Sequence, residues 1–174
     1  MSGVLARGIR NKNPGNLVLT NIAWFGKISG KNNTDGKFEQ FETIEYGIRA
    51  MFKDLVNDIN KGKNTVRKLI NEYAPPSENN TTQYIKDVSQ SIGVKADDVI
   101  TSINQDFLLK LGKAIIRKEN GSDASKITDA QIIKGMKMMG DVSTAVLKVN
   151  VKSNKLYYVV PLLLLFYTVF TVTL

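Results

Sequence analysis

Apolar residues recur at helical spacing in five stretches of the chain. Residues 44–60 set Ile48, Met51, Phe52, Leu55, Val56 and Ile59 on one stripe, the pattern of an amphipathic helix. Thr43 is placed to cap it, although Tyr46 stands where a full capping box needs Glu or Gln. Residues 65–73 form a second, shorter helix that Ala74-Pro75-Pro76 stops, because the residue before a proline is pushed out of helical geometry. Residues 81–92 predict a third helix with Tyr84, Ile85 and Val88 inward and Gly93 closing it. After a short turn or helix at 96–103, residues 106–118 carry Phe107, Leu108, Leu111, Ala114 and Ile115 on one face. Residues 128–139 repeat the pattern with Ile132, Ile133 and Met136.

Two regions depart from this period. Residues 7–16, RGIRNKNPGN, are too dense in Asn, Pro and Gly for a helix and predict an ordered turn. Residues 17–28 and 37–41 look like short strands joined by a turn-rich linker, a small β-hairpin lobe. At the other end, residues 156–174 run for 19 positions without a charge, long enough to cross a hydrocarbon core. The competing reading is a buried hairpin or strand, since Val, Tyr, Phe and Thr also favour strands. Lys148, Lys152 and Lys155 precede the run and predict a cytoplasmic orientation during synthesis. The N-terminal residues lack the apolar core of a signal peptide. The division expected is a domain at 1–140, a linker at 141–155 and a transmembrane anchor at 156–174.

Composition narrows the chemistry. With 24 Lys and Arg against 16 Asp and Glu, the formal net charge is +8. The basic residues are dispersed, which suits generic attraction to a polyanion such as nucleic acid, anionic lipid or an acidic cell wall. No nucleic-acid motif accompanies the charge, so no specific nucleic-acid partner is expected. The chain has no Cys and no His. That excludes a thiol nucleophile, a disulfide framework and a histidine base. Acid–base chemistry then falls mainly on carboxyl groups, as in glycoside cleavage. Nothing resembles a metal site, a P-loop or a dinucleotide fingerprint, and no cofactor is implied.

Among the carboxylates, Glu119 stands apart. It lies four residues past Ile115 and eight past Leu111, so it continues an apolar face. Asn120-Gly121 then offers a helix stop. Burial and the negative end of the helix dipole both disfavour its ionised form, the setting of a general acid. The other reading is a glutamate at a frayed end that points to solvent.

The segments RGIRNKNPGNL, WFG, KFEQFET, YGIRA, TVRKLINEYAPPSENNTTQY and AIIRKENG, in this order, resemble a family of small phage- and prophage-encoded lysozyme-like proteins over residues 7–121. In lysozyme-like lytic transglycosylases and flagellar-type glucosaminidases, a helix ending in an acid-bearing triplet precedes an Asn-rich turn, a β-lobe and further helices. Here Asn11, Asn13 and Asn16 come first, and Glu119-Asn120-Gly121 comes near the end. The order resembles a circular permutation, which termini lying close in space permit. The resemblance implies a mostly α, lysozyme-like α+β fold with Glu119 as catalytic acid.

Asn13, Asn16, Asn79, Thr81 and Tyr84 are candidates to hydrogen-bond sugar hydroxyl and N-acetyl groups, or else to brace turns and cap helices. Glu78 is either a helix cap or a substrate-facing residue. Asp35, Glu39 and Glu42 read as a solvated β-face, or else one of them is the second carboxylate of a hydrolase, and no pair at fixed spacing singles itself out. Trp24 stacks on a sugar or fills the lobe core. The resulting expectation is a peptidoglycan-cleaving lytic transglycosylase, membrane-anchored and virion-associated, with glycan strands, membrane lipid and other virion proteins as partners. A muramidase or glucosaminidase, or a non-catalytic glycan-binding or structural virion protein, is the alternative.

Overall fold

The computed structural model describes residues 3–77, 80–140 and the backbone of 147–148. Its centre is helix α2, Ile44–Asn60, which buries Ile48, Ala50, Met51, Phe52, Leu55 and Ile59. The Thr43 hydroxyl accepts from the Tyr46 amide and caps it, so the cap works without the missing box partner. Before α2 comes a single-turn helix, α1 (Arg7–Arg10). After it come α3 (Val66–Tyr73), α4 (Thr81–Ile92) and the two-residue strand β1 (Ser102–Ile103). Helix α5 (Gln105–Asn120) follows, then a 3-10 turn at Gly121–Lys126 and α6 (Asp129–Lys137). Strand β2, Leu147–Lys148, pairs antiparallel with β1, Ser102 opposite Lys148.

Helices α3, α4 and α5 pack in sequence, and α6 lies along α2. Glycines set two close approaches to α2. A Cβ at Gly112 of α5 would stand 2.5 Å from the Phe52 ring, and one at Gly135 of α6 would stand 2.6 Å from Ile48 Cγ2. A third glycine, Gly47, seats the N-terminal turn: its absent Cβ would lie 2.0 Å from the Lys12 carbonyl oxygen. Backbone cannot yield as a flexible side chain can. Gly47→Ala is therefore expected to cost about 1–3 kcal/mol, read as a lower midpoint in thermal denaturation.

Two expectations are corrected. Arg7–Arg10 form a helical turn where residues 7–16 predicted a turn without helix, because RGIR itself holds none of the Asn or Pro that follow it. The β-hairpin lobe does not form. Residues 17–42 are an irregular lobe with two isolated antiparallel bridges, Val18 to Phe38 and Lys27 to Phe41. Side chains replace the missing ladder. Glu39, expected on a solvated face, is 0% exposed. Its Oε1 accepts from the Thr20 amide (2.9 Å), the Thr20 hydroxyl (3.0 Å) and Lys27 Nζ (2.9 Å). The lysozyme-like α+β class thus gives way to a helical domain with an irregular lobe. No helix among the described residues is long and apolar enough to cross one, and the expected span at 156–174 lies outside the described residues.

Candidate active site

The site begins with the asparagine turn. Lys12 and Asn16 both adopt positive φ, 51° and 49°. Asn tolerates this left-handed region better than most residues, which suits Asn16 to the end of the turn. Asn13 braces the turn from within: its Nδ2 donates to the carbonyls of Leu17 (2.9 Å) and Glu39 (3.0 Å), and its Oδ1 accepts from the Leu17 amide (3.0 Å). The turn docks on the end of α5. Buried Asn120 donates from Nδ2 to the Pro14 carbonyl at 2.7 Å, and the Ala6 amide donates to Asp123 Oδ2 at 2.7 Å. Gly8 permits the approach, since a Cβ there would lie 2.3 Å from Asn120 Oδ1.

This docking sets Asn16 beside Glu119, 103 positions later in the chain. Asn16 Nδ2 donates to Glu119 Oε2 at 3.0 Å, and the Tyr84 hydroxyl donates to Oε1 at 3.0 Å. Glu119 is half-buried, Asn120 closes α5 behind it, and Gly121 at φ 56° turns the chain away. Burial pushes the Glu119 carboxyl above its ordinary range; the bonds from Asn16 and Tyr84 and the charge of Lys118 pull the other way and do not cancel it. Burial, seconded by the charge of Glu119, likewise raises the Tyr84 phenol, which stays a donor. Removing that donor tests the balance. A bond to the ionised form lowers a carboxyl pKa, so Tyr84→Phe moves Glu119 further up. Any activity that needs protonated Glu119 then has its basic limb shifted to higher pH, measurable as a pH–rate profile.

Glu119 and Asn16 open onto a cleft of about 600 Å³. Val18, Ile22, Trp24 and Phe38 of the irregular lobe line it on one side, with Lys37. Trp24 does two things: it packs on the small core of Leu17, Phe41 and Ala50, and it presents to the cleft. Helices α2 and α3 contribute Asp54, Asp58, Glu72 and Tyr73. Burial, helped by the charge of Asp58, pushes the Asp54 carboxyl up to about 6. The cleft is thus acidic although the whole chain is basic. An apolar and aromatic face opposite carboxylates is suited to a neutral, hydroxylated ligand such as a sugar chain.

No family model matches the chain. Over 122 residues, 68% of its length, the chain is 31% identical to Protein P5 of Pseudoalteromonas phage PM2, and the match covers 73% of that protein. The chain belongs to the P5 family. As a P5-family member it is related to a bacteriophage protein.

In this P5-family chain the structure gathers three of the sequence-predicted site residues, Glu119, Asn16 and Tyr84, into one hydrogen-bonded group. Asn13, 0% exposed, serves the turn and not the cleft. Thr81 is also buried, and its hydroxyl donates to the Ala74 carbonyl at 2.6 Å, tying α4 to the end of α3. Glu78 and Asn79 lie outside the described residues. Asp35 braces the lobe through Asn11 (2.8 Å) and Arg7 (3.6 Å). Asp54, Asp58 and Tyr73 are cleft residues that the sequence reading missed. The available signal was Asp54 and Asp58 one turn apart on the flank of the α2 stripe. Among the described residues no group of three or more acidic, His or Cys side chains is arranged to hold a metal ion.

Proposed function

We propose that this P5-family protein cleaves the glycan strands of peptidoglycan, with Glu119 as the proton donor. The observation that carries the reading is a half-buried carboxyl, raised by burial, opening onto a sugar-sized cleft and oriented by two donors. A carboxyl so placed holds its proton nearer neutral pH and can give it to the oxygen of the bond between N-acetylmuramic acid and N-acetylglucosamine. Asn16 and Tyr84 fix its direction, and the lobe aromatics supply a surface for a sugar ring. The net charge of +8 favours approach to an acidic wall. Kinship with a phage protein supports a virion-associated setting, where opening the wall serves genome delivery.

The test is direct. The purified full chain is incubated with peptidoglycan sacculi, and soluble fragments are analysed by mass spectrometry. Release of disaccharide-containing muropeptides is expected. Intact sacculi after prolonged incubation across the pH range from 4 to 8 would defeat the proposal.

A further inference from the structure

Asp54 and Glu119 face one cleft from different helices, α2 and α5. Tyr73 lies within the electrostatic reach of both: its phenol is raised first by burial, then by the charges of Glu119 and Asp54. Its hydroxyl donates to the Gly15 carbonyl, next to Asn16. Met51, one turn before Asp54 on α2, packs beneath the same glycine, where a Cβ would stand 2.8 Å from Met51 Cγ. The α2 wall and the asparagine turn are therefore held in fixed register, and with them the two carboxylates.

Three acidic side chains line that wall, and their surroundings differ. Glu72 is exposed and ion-paired with Lys63. Asp58 is raised by burial as well, with the charges of Lys61 and Lys63 drawing it back; Asp54 has Lys61 alone doing so and acts in turn on Tyr73. No hydrogen bond offsets the burial of Asp54. A carboxylate with a raised proton affinity and no fixed partner is suited to take a proton from water.

Resting on the reading that Glu119 protonates the leaving oxygen, the geometry points to Asp54 as the base that activates a water molecule in the same cleft, which makes the reaction a hydrolysis. Asp54 takes one proton from water, and the water oxygen bonds to the anomeric carbon. The anomeric carbon–oxygen bond breaks, and the leaving oxygen takes the proton of Glu119. One water is added across one glycosidic bond, and the new end is a reducing sugar. Lytic transglycosylation, expected from the sequence because no second carboxylate was evident there, adds no water and leaves an anhydro end.

The full chain and its Asp54→Asn, Asp54→Ala and Glu119→Gln forms are compared on purified peptidoglycan, with products read by mass spectrometry. The parent's new ends carry the mass of added water. Asp54→Asn retains about 1% of the parent rate, the loss typical of a missing general base. Azide, a nucleophile that needs no base, restores part of the Asp54→Ala rate and is recovered as a glycosyl azide. Because Asp54→Asn removes a partly buried charge, it melts no lower than the parent, so lost activity is not lost folding. Anhydro ends from the parent, or an Asp54→Asn form as fast as the parent beside an inactive Glu119→Gln, overturn Asp54 as base and leave Glu119 standing. A Glu119→Gln form as fast as the parent overturns both assignments.

Discussion

Glu119→Gln keeps the fold and lowers muropeptide release by about 10³-fold, within the range expected for loss of a positioned acid. The fold survives because glutamine fits the same hydrogen-bonding frame. Its carbonyl oxygen accepts from Tyr84 as Oε1 does now. Its amide faces Asn16, whose own Oδ1 is buried without a partner. A rotation of the Asn16 amide turns that oxygen toward the new donor, and both contacts are retained. What disappears is the proton. The substitution also changes the pH dependence of stability. Glu119 is raised in the folded state, so between the ordinary carboxyl range and its raised value the folded chain holds more protons than the unfolded chain. Stability contributed by this group is therefore highest at low pH and falls as pH rises through that window. The glutamine form lacks this decline. Melting temperatures across that range and product release at one pH together separate the two consequences. A glutamine form that melts well below the parent would show that the carboxylate supports the fold, contrary to its environment.

The helices of residues 44–139 and the half-buried position of Glu119 were legible in the sequence because each depends on local periodicity. Helix α2 spans the residues its apolar stripe marks, and Thr65 and Asn80 cap α3 and α4 where turn residues precede the stripes. Glu119 was visible because it extends the line of Leu111 and Ile115. The lobe was not legible, since its apolar run suggested strands while its structure depends on long-range side-chain bonds such as Thr20 to Glu39. A buried glutamate paired with Lys27 has the same local sequence as a solvated one. The acidic wall escaped notice for a related reason. Asp54 stands among surface-type residues of α2, and only the docking of the asparagine turn through Gly15 and Tyr73 turns that flank into the side of a cleft. Tertiary contacts between positions far apart decide which polar residue is functional, and periodicity does not encode them.

Asn13→Ala should destabilise the domain by about 4 kcal/mol, from two buried backbone groups at roughly 1–3 kcal/mol each plus lost packing. The Leu17 amide loses the Asn13 Oδ1 acceptor, and the Glu39 carbonyl loses the Nδ2 donor. The Leu17 carbonyl keeps a partner, since it also accepts from the Glu39 amide at 2.9 Å. With Asn13 at 0% exposure, water does not reach the vacated positions without opening the turn. A loss of that size is a large share of the 5–15 kcal/mol that holds an ordinary domain together. Aspartate is no remedy: it preserves the acceptor for Leu17 but aims a second oxygen at two carbonyls, so it folds only if it keeps a proton. Asn13→Asp should accordingly regain stability as pH falls, while Asn13→Ala stays unstable at every pH. The effect reaches the site, because the same turn carries Asn16 to Glu119 and seats Pro14 on Asn120. Denaturant titrations at two pH values measure the stability difference. An alanine form as stable as the parent would mean that the turn is held by Gly47 and Asn120 alone and that Asn13 is free for another task.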